Sequence, residues 1–284
     1  ISNRDKYSIN AMCNFLKVHR SLVYYHLEKR KEEKKNSKAE AKLENAVIRI
    51  FRKSRNNYGT RKIRKQLQRE GIIASRRKIG QIMKKYSLVS NYTVAQYKVK
   101  KSKCNEDKIE NLVNREFHNR EKLEVVVSDL TYVRVNNKWG YICNLLDLHN
   151  KEVIGYSVGE KKDAHLVYKA LLTCRYPLTE IEILHTDRGN EYKNKLIDEV
   201  VTTFGIKRSL SAKGCPYDNS PAETFNHILK TEFVKGKKFS SFNELEVELM
   251  DYINWYNNHR LHGSLDYQTP MEYKEKQSRL KDSM

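Results

Sequence analysis

The sequence predicts an α/β fold with a mixed sheet, preceded by small, basic, all-helical modules. Three observations carry that expectation. Near position 123 of the 284 residues, apolar spacing changes from helical periodicity to short strand-like runs. Charge changes at the same place. Residues 1–122 hold 33 Lys and Arg against 12 Asp and Glu, whereas residues 123–284 hold 22 against 23. Beyond 123, three strand-like runs precede a helix, and strand and helix then alternate, as in a meander extended into a mixed sheet.

From the N-terminus, residues 8–28 read as two short helices about a turn near Lys17-Val18-His19. Met12, Phe15 and Leu16 form one apolar stripe; Leu22, Val23 and Leu27 form a second. That is helix-turn-helix spacing, with Arg20 and Ser21 opening the recognition helix, and it sets a first module at 1–30. The charge run over 29–42 reads as a solvated helix or linker. A second helical pair defines a module at 43–90. Ile63 and Leu67 line its first helix, Gly71 stops it, Ser75 caps the next, and Ile79, Ile82 and Met83 line that one. Arg61, Arg76 and Arg77 lie on its polar faces and are candidate DNA contacts. Residues 91–120, with Lys98, Lys100, Lys101 and Lys103, read as a basic linker able to follow phosphates.

The catalytic part is expected over 121–284. Strands are predicted at 124–135, 140–148 and 152–158, followed by a helix from Ala164 to Cys174 and a strand from Ile181 to Thr186. A helix over about 191–204, a short strand at 206–211 and a helix opened by Ser220 come next. The last helical stretch spans 243–273, with Leu245, Leu249, Tyr252 and Ile253 as its stripe.

A net charge of +20, all of it in the N-terminal part, points to a polyanion-binding module beside a nearly neutral catalytic unit. The five cysteines include no CxxC pair, and Cys13, His19 and His26 do not make a His-His-Cys-Cys zinc pattern. His259 and His262 lack a third ligand, and Gly263 follows them, which argues against zinc. Contact with phosphate or bracing of the helix end is expected of them and of Arg260. No apolar run approaches 18 residues and no signal segment opens the chain, so a cytoplasmic protein is expected, at the nucleoid when bound to DNA.

Three acids stand inside well-marked elements: Asp129 in EVVVSDLTYVRV, Asp187 in EILHTDRGNEY and Glu223 in DNSPAETFNHILKTE. Residues 188–222 separate the second from the third. Carboxylates from separate elements are what two hard divalent cations require to clamp an in-line phosphoryl displacement. Each acid has a structural alternative. Asp187 precedes Arg188-Gly189 and suits a turn. Glu223 completes a Ser-x-x-Glu capping box with Ser220, Pro221 taking the first helical position. Asp129 follows a buried-type strand run, where an unpaired carboxylate is costly. Asp147 reads as a strand-end or turn acid and ranks below the other three.

SDLTYVRV, HTDRGNEY, SAKGCPYDNSPAETFNHILKTE and NWYNNHRLHGSLDYQTPMEY resemble successive signatures of the bacterial insertion-sequence family numbered three, specifically its second reading-frame product. YGTRKIRKQLQREG resembles that family's N-terminal helix-turn-helix region. The resemblance covers almost the whole chain and implies a ribonuclease-H-like core of the DDE transposase and retroviral integrase superfamily. It implies that Asp129, Asp187 and Glu223 bind two Mg²⁺ or Mn²⁺, that Lys230 reaches a phosphate, and that Asn219 and Arg188 lie at the DNA, Asn219 also fitting a polar support for the site, with helix capping as its alternative. It further implies cleavage of one strand at an element end, joining near the other end, and a circular intermediate. The implied partners are terminal-repeat and target DNA, further copies of the chain assembled on DNA, and the first reading-frame product. Val126 stands where relatives often carry Trp. The rival readings are a ribonuclease-H-like nuclease without joining and a helix-turn-helix regulator with an inactive core.

Overall fold

The computed structural model describes residues 6–93, 109–212 and 215–282. Lys98, Lys100, Lys101 and Lys103 of the expected linker lie outside the described residues. The chain forms two compact units, residues 1–90 and 91–284.

In the first unit, Ser8 accepts a hydrogen bond from the Ala11 amide and opens α1 (Ile9–Leu16), which Lys17 closes in the left-handed region. The stripe expected on this helix is not buried. Cys13 is its buried residue, while Phe15 and Leu16 face solvent. Helix α2 (Arg20–Lys53) runs without a break, so the short recognition helix and the charge run expected after it are one element. No Gly or Pro interrupts residues 20–53, and Glu, Lys and Ala favour helix throughout. Helices α3 (Thr60–Arg69) and α4 (Arg76–Lys85) pack with the end of α2. Ile63, Leu67, Ile79, Ile82 and Met83 are all buried, with Val47, Ile50 and Phe51 of α2. Gly71 (φ 73°) ends the α3 turn, letting the Ile72 amide reach the Leu67 carbonyl at 2.8 Å. Ser75 caps α4 by accepting from the Lys78 amide.

The second unit is built on five strands. β1 (Val125–Val135) and β2 (Lys138–Asp147) form a hairpin through Asn136-Asn137, both at positive φ, as a two-residue turn demands. β3 (Val153–Gly159) extends the meander. The chain then crosses by α5 (Ala164–Leu172) to β4 (Ile183–Thr186), and by α6 (Lys195–Thr203) to β5 (Lys207–Leu210). Both crossovers are helical because β4 lies parallel to β1 and β5 parallel to β4. The sheet order is β3-β2-β1-β4-β5, a mixed five-stranded sheet.

Alternation along β1 divides the core. Val126 joins Leu145, Ile154, Val167, Ala170 and Ile197 in the layer beneath α5 and α6. Gly155 permits that packing, since a Cβ there would come within 2.6 Å of the Ala170 carbonyl. The opposite face receives α7 (Ser220–Leu229), which lies on β1, and α8 (Phe242–Asn258), which lies on β3; α9 (Pro270–Asp282) follows. Leu245, Leu249, Tyr252 and Ile253 are buried, as their spacing predicts, but the expected last helix is broken at Asn258 and resumes at Pro270.

One further expectation needs correction, that of the linker, and one is met, that of Asp147 as a strand-end acid. Residues 109–120 are not a free linker: Val113 is fully buried, the Leu112 amide donates to Ser209 Oγ at 2.9 Å, and the Leu210 amide donates to the Glu110 carbonyl. Asp147 is structural, its oxygens accepting from the Leu123 and His149 amides, with its carboxyl pushed up to about 6 chiefly by burial.

Candidate active site

Strand register brings the first two acids together. Val127 of β1 pairs with His185 of β4, and Asp129 and Asp187 each lie two residues further along parallel strands. Asp187, just past the end of β4, therefore stands beside Asp129 in the middle of β1. The third acid arrives on α7, packed against β1. Electrostatics record the convergence. Burial pushes the Asp129 carboxyl up to about 7, and the Asp187 and Glu223 charges add to the rise. Glu223 is also raised, by partial loss of solvent around its carboxyl, although the residue as a whole is exposed, and then by Asp187. Among the described residues no Lys or Arg forms an ion pair with any of the three.

Asp129 is held by two hydrogen bonds. Its Oδ1 accepts from the Leu130 amide and its Oδ2 from Asn226 Nδ2, both at 2.8 Å. Asn226 is fixed in turn by Asn144, whose Nδ2 donates to Asn226 Oδ1 at 2.9 Å and to the Asp129 carbonyl at 3.2 Å. Asp187 Oδ1 accepts from the Gly189 amide at 2.9 Å, the turn bond that its Asp-Arg-Gly context predicts. The capping-box reading of Glu223 does not hold. A 3₁₀ turn, Pro216–Asn219, leads into α7, Ser220 is already helical, and no side chain caps the helix. Glu223 is consequently exposed at the first turn of α7.

The donor set suits a hard divalent cation, being carboxylate oxygens alone. Three mutually repelling acids without a paired cation form the electrostatic setting that such an ion relieves. Among the described residues no three acids, His or Cys stand close enough to ligate one ion together. The acids converge on one region without forming a closed coordination sphere.

Lys230 and the arginines fall into distinct environments. Lys230 is half-buried with its Nζ 3.8 Å from the centre of the Tyr132 ring; burial lowers its pKa, while Asp129 acts in the opposite sense. Arg20, Arg61, Arg76 and Arg77 are exposed on the helices of the first unit. Three expected contacts are corrected. Asn219 is buried and its amide donates to the Ser128 carbonyl at 3.3 Å, so it braces the strand and cannot meet DNA directly. Arg188 donates to the Ser211 and Ile109 carbonyls, which commits much of its guanidinium to holding loops. Arg260 is likewise buried rather than turned toward phosphate.

Sequence reasoning missed Asn226, although it lies one helical turn beyond Glu223 in ETFNHILK. It also missed Lys162, which pairs with the buried Glu191 at 3.0 Å. Burial opposes the Lys162 charge, but Glu191, Asp187 and Asp129 hold its pKa above the ordinary value. The signal was Gly189, where a Cβ would come within 2.4 Å of the Glu191 carboxylate.

The integrase core domain family matches residues 119–216, and a second integrase core domain family matches 223–277. An HTH-like domain family matches residues 38–96. The HTLV-2 integrase catalytic core, solved in complex with magnesium, superposes with a TM-score of 0.42 at 15% identity, over 53% of this chain and 95% of that one. An integrase core behind a helix-turn-helix-like unit defines a DDE-type enzyme that transfers phosphoryl groups in DNA. An insertion element IS600 protein of 31 kDa from Shigella sonnei is 31% identical over 93% of this chain and 98% of its own length. The putative transposase InsK of IS150 from Escherichia coli K12 is 29% identical over 95% of both chains. Transposase InsF of IS3A, from the same strain, is 29% identical over 96% of both. The chain belongs to the IS3 family of insertion-sequence transposases.

Proposed function

We propose that Asp129, Asp187 and Glu223 hold two divalent cations, Mg²⁺ or Mn²⁺, and that this site cleaves and joins the ends of the chain's own mobile element. The observation carrying the reading is the convergence of three acids from β1, the end of β4 and α7, none of which forms an ion pair among the described residues. When bound, the cations neutralise charge on the attacking and leaving oxygens of an in-line displacement. The chain supplies the rest. Asn226 and the Leu130 amide orient Asp129, and the Gly189 amide orients Asp187. Lys230 offers a half-buried ammonium on the α7 side, where a DNA phosphate can be held in position without its sequence being read.

The helices of residues 1–90 would recognise terminal-repeat DNA, with Arg20, Arg61, Arg76 and Arg77 as exposed phosphate or base contacts. Bringing two element ends together calls for more than one copy of the chain on DNA, and the element's first reading-frame product is a natural partner. The deciding experiment is a cleavage and joining assay on end-bearing DNA with and without Mg²⁺. Asp129→Asn, Asp187→Asn and Glu223→Gln should each abolish both reactions while end binding persists. Cleavage by Glu223→Gln at the parent rate would remove Glu223 from the site.

A further inference from the structure

Helix α7 carries Glu223 at its start and leads directly to Lys230, and how that helix is held at its far end bears on the site. Residues Lys230–Val234 form a π turn, a widened geometry often found at functional positions. Glu232 lies inside it with its side chain fully buried, facing Arg260, which is 6% exposed. Arg260 grips both carboxylate oxygens: Nε lies 3.1 Å from Oε1 and 2.9 Å from Oε2, and Nη2 lies 2.7 Å from Oε1. Tyr252 of α8 donates to Oε2 at 3.0 Å, and the Tyr92 hydroxyl donates to Oε1. The Arg260 guanidinium also lies over the Tyr256 ring and within 3.3 Å of the Tyr92 hydroxyl and of His262.

This is an unusual way merely to stabilise a fold. A buried ion pair is often no better than an apolar pair of the same volume, because desolvating both charges offsets much of their attraction. What it supplies is directional fixation: five hydrogen bonds aimed at one carboxylate allow Glu232 one position. Lys230 is two residues away in the same turn, with its ammonium over Tyr132 of β1. A π turn that relaxed to α geometry would rotate Lys230 about the helix axis and away from that ring.

We infer that Glu232 and Arg260 are positioning residues: by locking the π turn they set Lys230 over Tyr132 of β1, where it receives the DNA phosphate. The inference rests on the reading of the acids and Lys230 given under Proposed function.

The test uses the full chain and end-bearing DNA with Mg²⁺. Arg260→Lys keeps the charge but cannot span both oxygens. The double variant Glu232→Met/Arg260→Met removes both charges and keeps the volume. Each is compared with Lys230→Ala and with the Lys230→Ala combination. Joining should fall by about tenfold or more, since a misplacement of about 1 Å can cost on the order of 100-fold. Melting temperature should fall, because buried donors lose their acceptor, so joining is compared at a temperature where every variant is folded, and end binding there should stay close to the parent. Adding Lys230→Ala should lower joining no further, because the lysine is already misplaced. Three results overturn the inference: parent-level joining by a folded pair variant, a multiplicative further loss on adding Lys230→Ala, or parent-level joining by Lys230→Ala itself. If the double variant does not fold, Arg260→Lys decides alone. Asp129→Asn runs beside them: if it too joins normally, the metal-site reading falls, and if not, only the positioning role does.

Discussion

Asp129 combines a half-buried strand position with two acid neighbours, and the consequences for pH follow from its carboxyl being pushed up to about 7. Unfolded, the same group titrates near the ordinary 3.8. Between those values the folded chain binds more protons than the unfolded one, so metal-free stability should fall as pH rises from about 4 to about 7 and level off above. Asp129→Asn removes the buried charge, although the Asn226 amide must then turn and lose a hydrogen bond of about 1 kcal/mol. The metal-free variant should therefore be about 1–3 kcal/mol more stable than the parent at pH 8, with little difference at pH 4. Denaturant unfolding at the two pH values measures this. A variant less stable at pH 8 would mean that Asp129 is held by favourable contacts rather than confined against repulsion. Asp129, Asp187 and Glu223 stand out as candidates in the sequence because each lies in a distinctive local motif. Asn144, Asn226 and the Lys162–Glu191 pair do not. Their partners lie 82 and 29 positions away in the chain, and only the fold brings them together.

At the scale of elements, strands and crossover helices follow from local alternation and periodicity, while helix ends do not. Ser220-Pro221-Ala222-Glu223 has the composition of a capping box. The 3₁₀ turn before it had already curled the chain, leaving Ser220 inside the helix. The π turn after Leu229 left no local trace either, since it depends on Arg260. Ser75 is the opposite case: the expected cap is formed. Ser75→Ala should lower the stability of the helical unit by about 1 kcal/mol and weaken DNA binding only near its melting temperature. Circular dichroism of the residue 1–90 fragment reads the first effect, and a loss below about 0.3 kcal/mol would show the cap to be idle. Lys230→Ala, at the end of α7, should reduce joining, more so as salt rises and the remaining phosphate contacts are screened. Equal joining by parent and variant across a salt series would leave Lys230 with no role beyond its place over Tyr132.

For the whole molecule, the division of charge coincides with the division into units. Residues 1–90 hold 25 Lys and Arg against 7 Asp and Glu, and residues 91–284 hold 30 against 28. Part of the first unit's excess is spent internally: Lys78 pairs with Glu40, Lys85 with Glu44 and Arg49 with Glu70, tying α4 and the end of α3 to α2. Arg20, Arg61, Arg76 and Arg77 remain exposed. A fragment of residues 1–90 should therefore bind end DNA with a steep loss of affinity on going from about 50 to about 200 mM salt, because binding displaces counterions from the phosphates. The 91–284 fragment, almost neutral overall, should bind far more weakly and with a shallow slope. Its cut belongs at 91 rather than 122, since Tyr92 anchors Glu232, and Val113 and Leu112 pack on the core. Titration of labelled end DNA with each fragment at several salt concentrations gives both slopes. Similar affinities and slopes would mean that end recognition is shared across the core, and would overturn the assignment of DNA binding to the basic helices.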